Sequence, residues 1–197
     1  YLAPVIALLR GLTDPIIGLS MGQTAEIIAH RFGISREKMD EFSLQSHQRL
    51  AAAQDAGIFK DELNPVYDRK NHYYSYDSGL RRDTRLEKLA SLKPFFDKSF
   101  GLVTAGNSSQ VTDGAAFLVL ASEKAVQQYQ LPVLARIVDV VWAGVEPSEM
   151  GLGPVHAVSI LLKKQQLAFN RIDFWEINEA FAGQVLACLA AWQDIDY

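Results

Sequence analysis

An amide and a carboxylate stand side by side at Asn178 and Glu179, between two apolar runs of the chain. The preceding run, 172–177, is typical of a strand, and the following run, 180–192, is typical of a helix. In an α/β domain, polar side chains at the carboxyl end of a strand lie where ligands bind. Asn178 and Glu179 are therefore the first candidates for chemistry. The alternative is that Asn178 caps the following helix and Glu179 fills its acidic first turn.

The elements that would position this pair alternate between strand and helix. Residues 133–142 are rich in Val and Ile, which favours a buried strand. A helix is predicted from Pro154 to about Gln166, because proline suits the first turn of a helix. The strand at 172–177 and the helix at 180–192 follow. This order is typical of a parallel or mixed α/β layer.

Helices and one irregular segment are predicted upstream. A turn at 19–22 leads into a helix, and Ser35 can cap a long helix over 36–56 that Gly57 ends. From 59 to 91, turn signals and tyrosines interleaved with charge indicate an irregular insertion. Segments of this kind carry binding contacts on a scaffold that is built elsewhere.

Small residues provide a second candidate for ligand contact. A β-rich run over 101–110 ends in small residues, and a buried apolar run is predicted at 115–121. Small side chains after a strand let the backbone approach a narrow ligand. They also permit close packing of a strand and a helix with no ligand involved, and both interpretations stay open.

The composition is that of a globular protein with no general attraction to nucleic acid. The chain has 197 residues, of which 49% are hydrophobic and 21% charged, and its formal net charge is -4. Residues 69–93 nevertheless carry seven Lys and Arg side chains and only three Asp and Glu side chains. This patch suits a phosphorylated small molecule, although a solvated charged face has the same composition.

The single cysteine, Cys188, excludes an intramolecular disulfide, which favours a reducing compartment and predicts a cytoplasmic protein. No apolar run approaches the ~18 residues that span a bilayer, so no membrane span is predicted. The chain begins at Tyr1 rather than Met and ends at Tyr197 without a helix stop signal. We therefore expect both ends to be cut points in a longer polypeptide.

Four motifs, in their order and separations, resemble those of the thiolase family. They are residues 20–26 (SMGQTAE), 103–109 (VTAGNSS) with 113–116 (DGAA), 150–154 (MGLGP) and 177–182 (INEAFA). The resemblance implies an α/β protein with a thiolase-like layered αβα fold, incomplete in this chain, and an irregular, mostly helical loop domain. It divides the chain into a CoA-binding loop domain at 1–98, a returning part of the N-terminal half at 99–130 and the start of the C-terminal half at 131–197.

The resemblance also implies an acyl-CoA acyltransferase of fatty acid metabolism, including beta-oxidation. Such an enzyme makes or cleaves 3-ketoacyl-CoA through a cysteine acyl-enzyme, with coenzyme A as substrate or product, no other cofactor and no metal. A homodimer or homotetramer is implied as well. The acyl-accepting cysteine is expected upstream of Tyr1, and Gly-His-Pro and Cys-x-Gly segments are expected downstream of Tyr197. The chain alone is therefore expected to be inactive, with Cys188 a core residue.

Site residues follow from the same resemblance, position by position. Asn178 resembles the residue that fixes the water of the enolate oxyanion hole, a task for which a neutral amide is suited. Ser20 stands where many members of the family have His. The resemblance implies CoA contacts at Arg81, Ala105, Gly106 and Ser109, and an acyl and pantetheine tunnel lined by Met21, Phe96, Met150, Ala180 and Phe181. For the tunnel residues, plain core packing is the alternative.

Two other functions fit the same motifs. One is a non-catalytic member of the thiolase fold that binds CoA or acyl-CoA, or carries lipid. The other is a structural partner subunit, against which Asn178 and the complete set of motifs argue.

Overall fold

Helices dominate the computed structural model, which describes residues 3–194. The α-helices are α1 (Ala3–Gly11), α2 (Met21–Arg31), α3 (Arg36–Asp55), α4 (Leu86–Ala90), α5 (Glu123–Tyr129), α6 (Gly153–Gln165) and α7 (Ala182–Ala191). Shorter 3₁₀ helices lie at Ile58–Asp61, Pro147–Leu152 and Phe169–Arg171. Two strands, β1 (Val66–Tyr67) and β2 (Tyr73–Tyr74), form an antiparallel hairpin within the irregular segment. Across the described range, no helix is both long and apolar enough to cross a membrane.

Serine side chains begin α2 and α3, the first within the turn predicted at 19–22 and the second at the predicted cap Ser35. The Ser20 hydroxyl accepts the backbone N–H of Gln23, whose side-chain oxygen accepts the Ser20 N–H at 2.9 Å in return. This reciprocal pair is a capping box, and it begins α2. Ser35 accepts the Lys38 N–H at 3.3 Å and begins α3, as predicted. Gly57, with φ +68°, follows the end of α3 in the left-handed region that glycine adopts at little cost.

The core lies where α2, α6 and α7 meet the 3₁₀ helix at Pro147–Leu152. Its first cluster of buried side chains comprises Ile28, Leu152, Val155, Ala187, Cys188 and Ala191. A second cluster, between α2, α3 and α7, comprises Ala29, Ile34, Met39 and Ala182. Helix α2 contributes to both clusters, so it fixes α3 and α7 relative to each other.

The strands predicted at 133–142 and 172–177 and the buried apolar run predicted at 115–121 are not observed in the described residues. Residues 115–121, 133–142 and 172–177 belong to neither a helix nor a strand, and side chains such as Leu118 and Leu134 are 87% and 99% exposed. The physical reason is that a buried parallel strand needs hydrogen-bonded neighbours and covering helices on both faces. The described residues place no neighbouring strand beside these runs.

The alternative structural roles of Asn178 and Glu179 are also not observed. Helix α7 begins at Ala182, its N-cap is Phe181, and no side chain makes a capping hydrogen bond there. Its first turn holds no acidic residue. Asn178 therefore does not cap this helix, and Glu179 precedes its first turn.

A buried carboxylate on α2 anchors the segment at 102–109. Glu26 is only 6% exposed, and its oxygens accept the backbone N–H groups of Leu102 at 2.8 Å and Val103 at 2.9 Å. Buried backbone donors need such partners, because burial without one costs free energy. The Glu26 carboxylate thus fixes where the chain turns towards Ser109.

We predict that Glu26→Ala destabilises the complete protein. The change leaves two backbone donors without their charged acceptor, so the free energy of unfolding should fall by about 2–3 kcal/mol. Glu26→Gln, which keeps one acceptor oxygen, should lose less. Denaturant unfolding measures both, with Glu41→Ala on the exposed side of α3 as the control. Equal unfolding midpoints for Glu26→Ala and Glu41→Ala would contradict the anchoring role.

Candidate active site

The side chain of Asn107 closes the turn at 102–109. Asn107 is 3% exposed, and its amide nitrogen donates to Asp40 Oδ1 at 3.1 Å and to the Leu102 carbonyl at 3.0 Å. Its amide oxygen accepts the Thr104 N–H at 2.8 Å. Both donor hydrogens and the oxygen are thus engaged, as a buried amide requires. The turn is therefore locked from within and tied to α3.

Asp40 connects Asn107 to α4 through Arg36. Its two oxygens accept hydrogen bonds from Arg36 Nε at 3.0 and 2.9 Å, and both residues lie on α3. Arg36 Nη2 also donates to the carbonyl oxygens of Leu89 at 2.5 Å and Leu92 at 3.2 Å. One buried charge pair therefore joins α3, the end of α4 and the turn at 102–109.

The turn at 178–182 docks against residues 107–109. The Ser109 N–H donates to the Ala180 carbonyl at 2.8 Å, and the Ala182 N–H donates to the Asn107 carbonyl at 2.9 Å. The hydroxyl of Ser46 on α3 donates to Glu179 Oε2 at 2.6 Å. These contacts bring together two motifs that the sequence separates by about seventy residues. Ser109 and Asn178 consequently face the same space.

A large open cavity of about 880 Å³ lies between these segments. All four residues predicted to contact CoA line it together with Asn178, namely Arg81, Ala105, Gly106 and Ser109. Lys88, whose ammonium group contacts Asp83, lines the same cavity, as do the carboxylates of Asp77, Asp113 and Glu179. Gly106 has no room for a side chain, because an added Cβ would lie 2.6 Å from both Leu89 and Leu92. The backbone therefore forms this part of the wall.

A smaller, mainly apolar cavity of about 180 Å³ begins on the other side of Asn178. Asn178 lines both cavities. Four of the five residues predicted for the tunnel line the smaller one, namely Met21, Met150, Ala180 and Phe181. The fifth, Phe96, does not line it and packs behind Phe181, with ring centroids 6.1 Å apart in an edge-to-face arrangement.

Phe96 has a packing role on α2 as well. An added Cβ at Gly22 would lie 2.1 Å from the Phe96 ring, so the ring covers the bare backbone of this glycine. Ser20, where the resemblance in sequence implies a histidine in many relatives, is the N-cap of α2. Both positions thus support the helix that carries Met21.

Two residues of the larger cavity, Ser46 and His47, were not predicted as site residues. His47 Nδ1 accepts the Arg81 backbone N–H at 3.4 Å. Burial lowers the pKa of His47, the charge of Arg81 lowers it further, and Glu179 opposes the shift. The imidazole is therefore neutral at neutral pH. Helical spacing from Phe42 places Ser46 on the packing face of α3, which is the only signal the sequence holds for it.

Cys188 lies in the core, as predicted. The residue is fully buried, and its thiol donates to the Gly151 carbonyl at 3.2 Å. Burial raises the pKa of the Cys188 thiol, against a smaller lowering by the hydrogen bond from Gln184. A protonated, enclosed thiol is a poor nucleophile. Cys188 therefore does not supply an acyl-accepting thiolate.

The described residues form a mostly helical structure with two adjoining cavities, and sequence comparison identifies the family. The family model described as "Thiolase, N-terminal domain" matches residues 5–124, and "Thiolase, C-terminal domain" matches residues 131–196. The chain belongs to the thiolase family, which confirms the resemblance of its motifs.

Known thiolases match the chain closely in sequence and in structure. Peroxisomal 3-ketoacyl-CoA thiolase B of Rattus norvegicus is 46% identical over 179 residues, which cover 87% of this chain and 42% of that protein. The crystal structure of human mitochondrial 3-ketoacyl-CoA thiolase in complex with CoA has a TM-score of 0.90 at 46% identity and covers 96% of this chain and 48% of that one. The dimeric peroxisomal thiolase of Saccharomyces cerevisiae has a TM-score of 0.86 at 40% identity, covering 90% and 46%.

These similarities confirm the predicted thiolase-like layered fold. The chain spans about half the length of the relatives it matches. This coverage agrees with helices that are formed and sheet strands that lack neighbours in the described residues. The prediction of a cytoplasmic protein is wrong, because the relatives named above are peroxisomal and mitochondrial proteins. A single cysteine reports on redox conditions and carries no information on the organelle.

We predict that Cys188 is unreactive in the folded protein. A thiol that is buried and protonated must wait for local opening, so alkylation should be at least about tenfold slower than at an exposed cysteine. Peptide mass spectrometry after timed alkylation measures the rate at Cys188. Asn170→Cys, at an exposed position, provides the reference thiol in the same protein. Equal labelling rates at positions 170 and 188 would contradict the burial of the thiol.

Proposed function

We propose that the complete protein is a thiolase, an acyl-CoA acyltransferase that makes or cleaves 3-ketoacyl-CoA through a cysteine acyl-enzyme. The observation that carries this proposal is the position of Asn178, where a large cavity lined by charged and polar side chains meets a small, mainly apolar one. A thioester reaction needs such a junction, because CoA is large and anionic whereas the acyl group is small and apolar. The names of the relatives, 3-ketoacyl-CoA thiolases, support the same reaction.

The larger cavity is proposed to bind coenzyme A. Arg81 offers positive charge for a phosphate group, and the small side chain of Ala105 and the bare backbone of Gly106 form a wall that the narrow pantetheine arm can approach. The exposed hydroxyl of Ser109 is available to an amide of that arm. A related human mitochondrial thiolase was crystallised with CoA, which supports this assignment. Coenzyme A is here substrate or product, and the proposal includes no other cofactor and no metal.

The smaller cavity is proposed to hold the acyl group. Its walls at Met21, Met150, Ala180 and Phe181 are apolar and offer no charge to a thioester chain. Phe96 is proposed to shape this cavity indirectly, by supporting the ring of Phe181. Burial of apolar surface then contributes to binding in proportion to the length of the chain.

Asn178 is proposed to hold the water of the enolate oxyanion hole. Its amide is exposed to both cavities and neutral at every working pH, so it orients a water without adding a titratable charge. Preorganised donors of this kind stabilise the negative charge that develops on the thioester oxygen. The acyl-accepting cysteine is proposed to lie in the part of the complete protein outside these 197 residues.

The proposal extends to assembly and to pathway. We propose a homo-oligomer, at least a dimer, which the dimeric yeast relative supports. A homotetramer would be a dimer of such dimers. The proposed metabolic role is in fatty acid metabolism, in the cleavage of 3-ketoacyl-CoA during beta-oxidation.

Asn178→Ala should slow turnover of the complete protein by about 10²-fold, because loss of one oxyanion-hole donor has an effect of that order. The KM for CoA should change little, since the interaction is made mainly in the transition state. Steady-state thiolysis of acetoacetyl-CoA measures both constants, with Asn170→Ala as the control. Unchanged turnover at unchanged stability would remove Asn178 from the mechanism. A wild-type protein that binds CoA without turning over substrate would instead indicate a carrier.

Arg81→Ala should raise the KM for CoA by about tenfold, which corresponds to one charge-assisted contact of about 1.4 kcal/mol. The effect should shrink at high ionic strength, because salt screens exposed charges. Arg69→Ala is the matched control, as Arg69 lies in the same basic patch but does not line the cavity. Kinetics at two salt concentrations make the measurement. Equal KM values for the two variants would contradict CoA binding at Arg81.

A further inference from the structure

Along the chain, the hydrogen bond between Ser46 and Glu179 is the contact nearest to Asn178 that joins its turn to another element. Ser46 Oγ donates to Glu179 Oε2 at 2.6 Å, although 133 residues separate the two in sequence. Within the described range, Asn178 makes no hydrogen bond of its own, and residues 172–177 before it pair with no strand. The other ties of this turn hold Ala180 and Ala182, further along the chain.

We propose that Ser46 and Glu179 are positioning residues for Asn178, an inference that rests on the proposed thiolase function. Helix α3 is fixed through Met39 in the core and through the Asp40 contact to Asn107. The Ser46 hydroxyl lies two turns further along this helix and donates to Glu179, the residue next to Asn178. This contact holds the amide of Asn178 in a fixed position relative to the rigid part of the protein, as a preorganised donor requires.

Direct contact between Glu179 and the substrate explains the geometry less well. Glu179 lines the same cavity as Arg81 and Lys88 and as three aspartates, Asp77, Asp83 and Asp113, and a carboxylate there opposes the binding of an anionic ligand. Its oxygen is engaged by Ser46, and it lies outside the first turn of α7. Neither anion binding nor helix capping therefore accounts for a carboxylate here. A link between α3 and the turn at 178–182 accounts for the carboxylate of Glu179.

The test uses the complete protein and four variants. Glu179→Ala and Ser46→Ala should each lower kcat by about tenfold, because small misplacement of a reacting group costs one to two orders of magnitude. The KM for CoA should stay within about twofold, since the substitutions displace Asn178 without removing a substrate contact. Glu179→Gln retains an oxygen that accepts the Ser46 hydroxyl, so it should restore most of the turnover. The double variant Ser46→Ala/Glu179→Ala should be no slower than either single variant.

Glu176→Ala is the matched control, because Glu176 is exposed and lies on the other side of Asn178. It should behave as the wild type. The thermal midpoint of every variant should stay near that of the wild type, since Ser46 and Glu179 contribute to neither core cluster. A fall in stability that accompanies the loss of kcat would assign the contact a structural role and overturn the inference.

The outcomes separate this inference from the proposed function. An active wild type with normal kcat in Glu179→Ala overturns only the positioning role. A raised KM for CoA at normal kcat assigns Glu179 to ligand binding, and a Glu179→Gln variant as slow as Glu179→Ala assigns the effect to charge. Additive losses in the double variant show two independent residues. An inactive wild type overturns the proposed function and the inference that rests on it.

Discussion

The buried amide of Asn107 is the interaction on which the site depends. It makes three hydrogen bonds at once. The amide nitrogen donates to the Asp40 carboxylate and to the Leu102 carbonyl, and the amide oxygen accepts the Thr104 N–H. Each of these groups would cost about 1–3 kcal/mol if it were buried without a partner. These three hydrogen bonds hold the turn at 102–109 in its shape. Its backbone then presents the carbonyl and N–H groups that receive the turn at 178–182.

Hydrogen bonds connect both sides of the large cavity to Asn107. Asp40 links Asn107 to Arg36, and Arg36 in turn binds the carbonyl groups of Leu89 and Leu92. A buried ion pair adds little net stability, because desolvation offsets much of the attraction. It does fix directions, since a guanidinium group donates in a rigid plane. Its value in this protein is geometric, because it sets α3, α4 and the 102–109 turn at fixed distances.

Local signals in the sequence predict the helices, whereas distant contacts decide the site. Ser35 and Gly57 mark the ends of α3 because capping is a contact between near neighbours. The apolar run at 133–142 predicts a strand that is not observed, because a strand forms only beside another strand and the described residues place none next to this run. Asn107 stands in a recognised motif, but its partner Asp40 is 67 residues away. Resemblance places Asn178, while the roles of Ser46 and His47 follow only from how α3 docks.

The electrostatics of the cavity separate anion binding from chemistry. Arg81 and Lys88 line the large cavity together with four carboxylates, and Lys88 contacts one of them, Asp83, so Arg81 is the cation proposed for CoA while Asn178 is a neutral amide. Burial and the nearby guanidinium group of Arg81 lower the pKa of His47, against an opposing effect of Glu179. A neutral amide suits a reaction through an oxyanion, because a fixed donor stabilises charge only as it develops. In the proposed reaction, CoA affinity and transition-state stabilisation are therefore carried by different residues, so each is free to vary without the other.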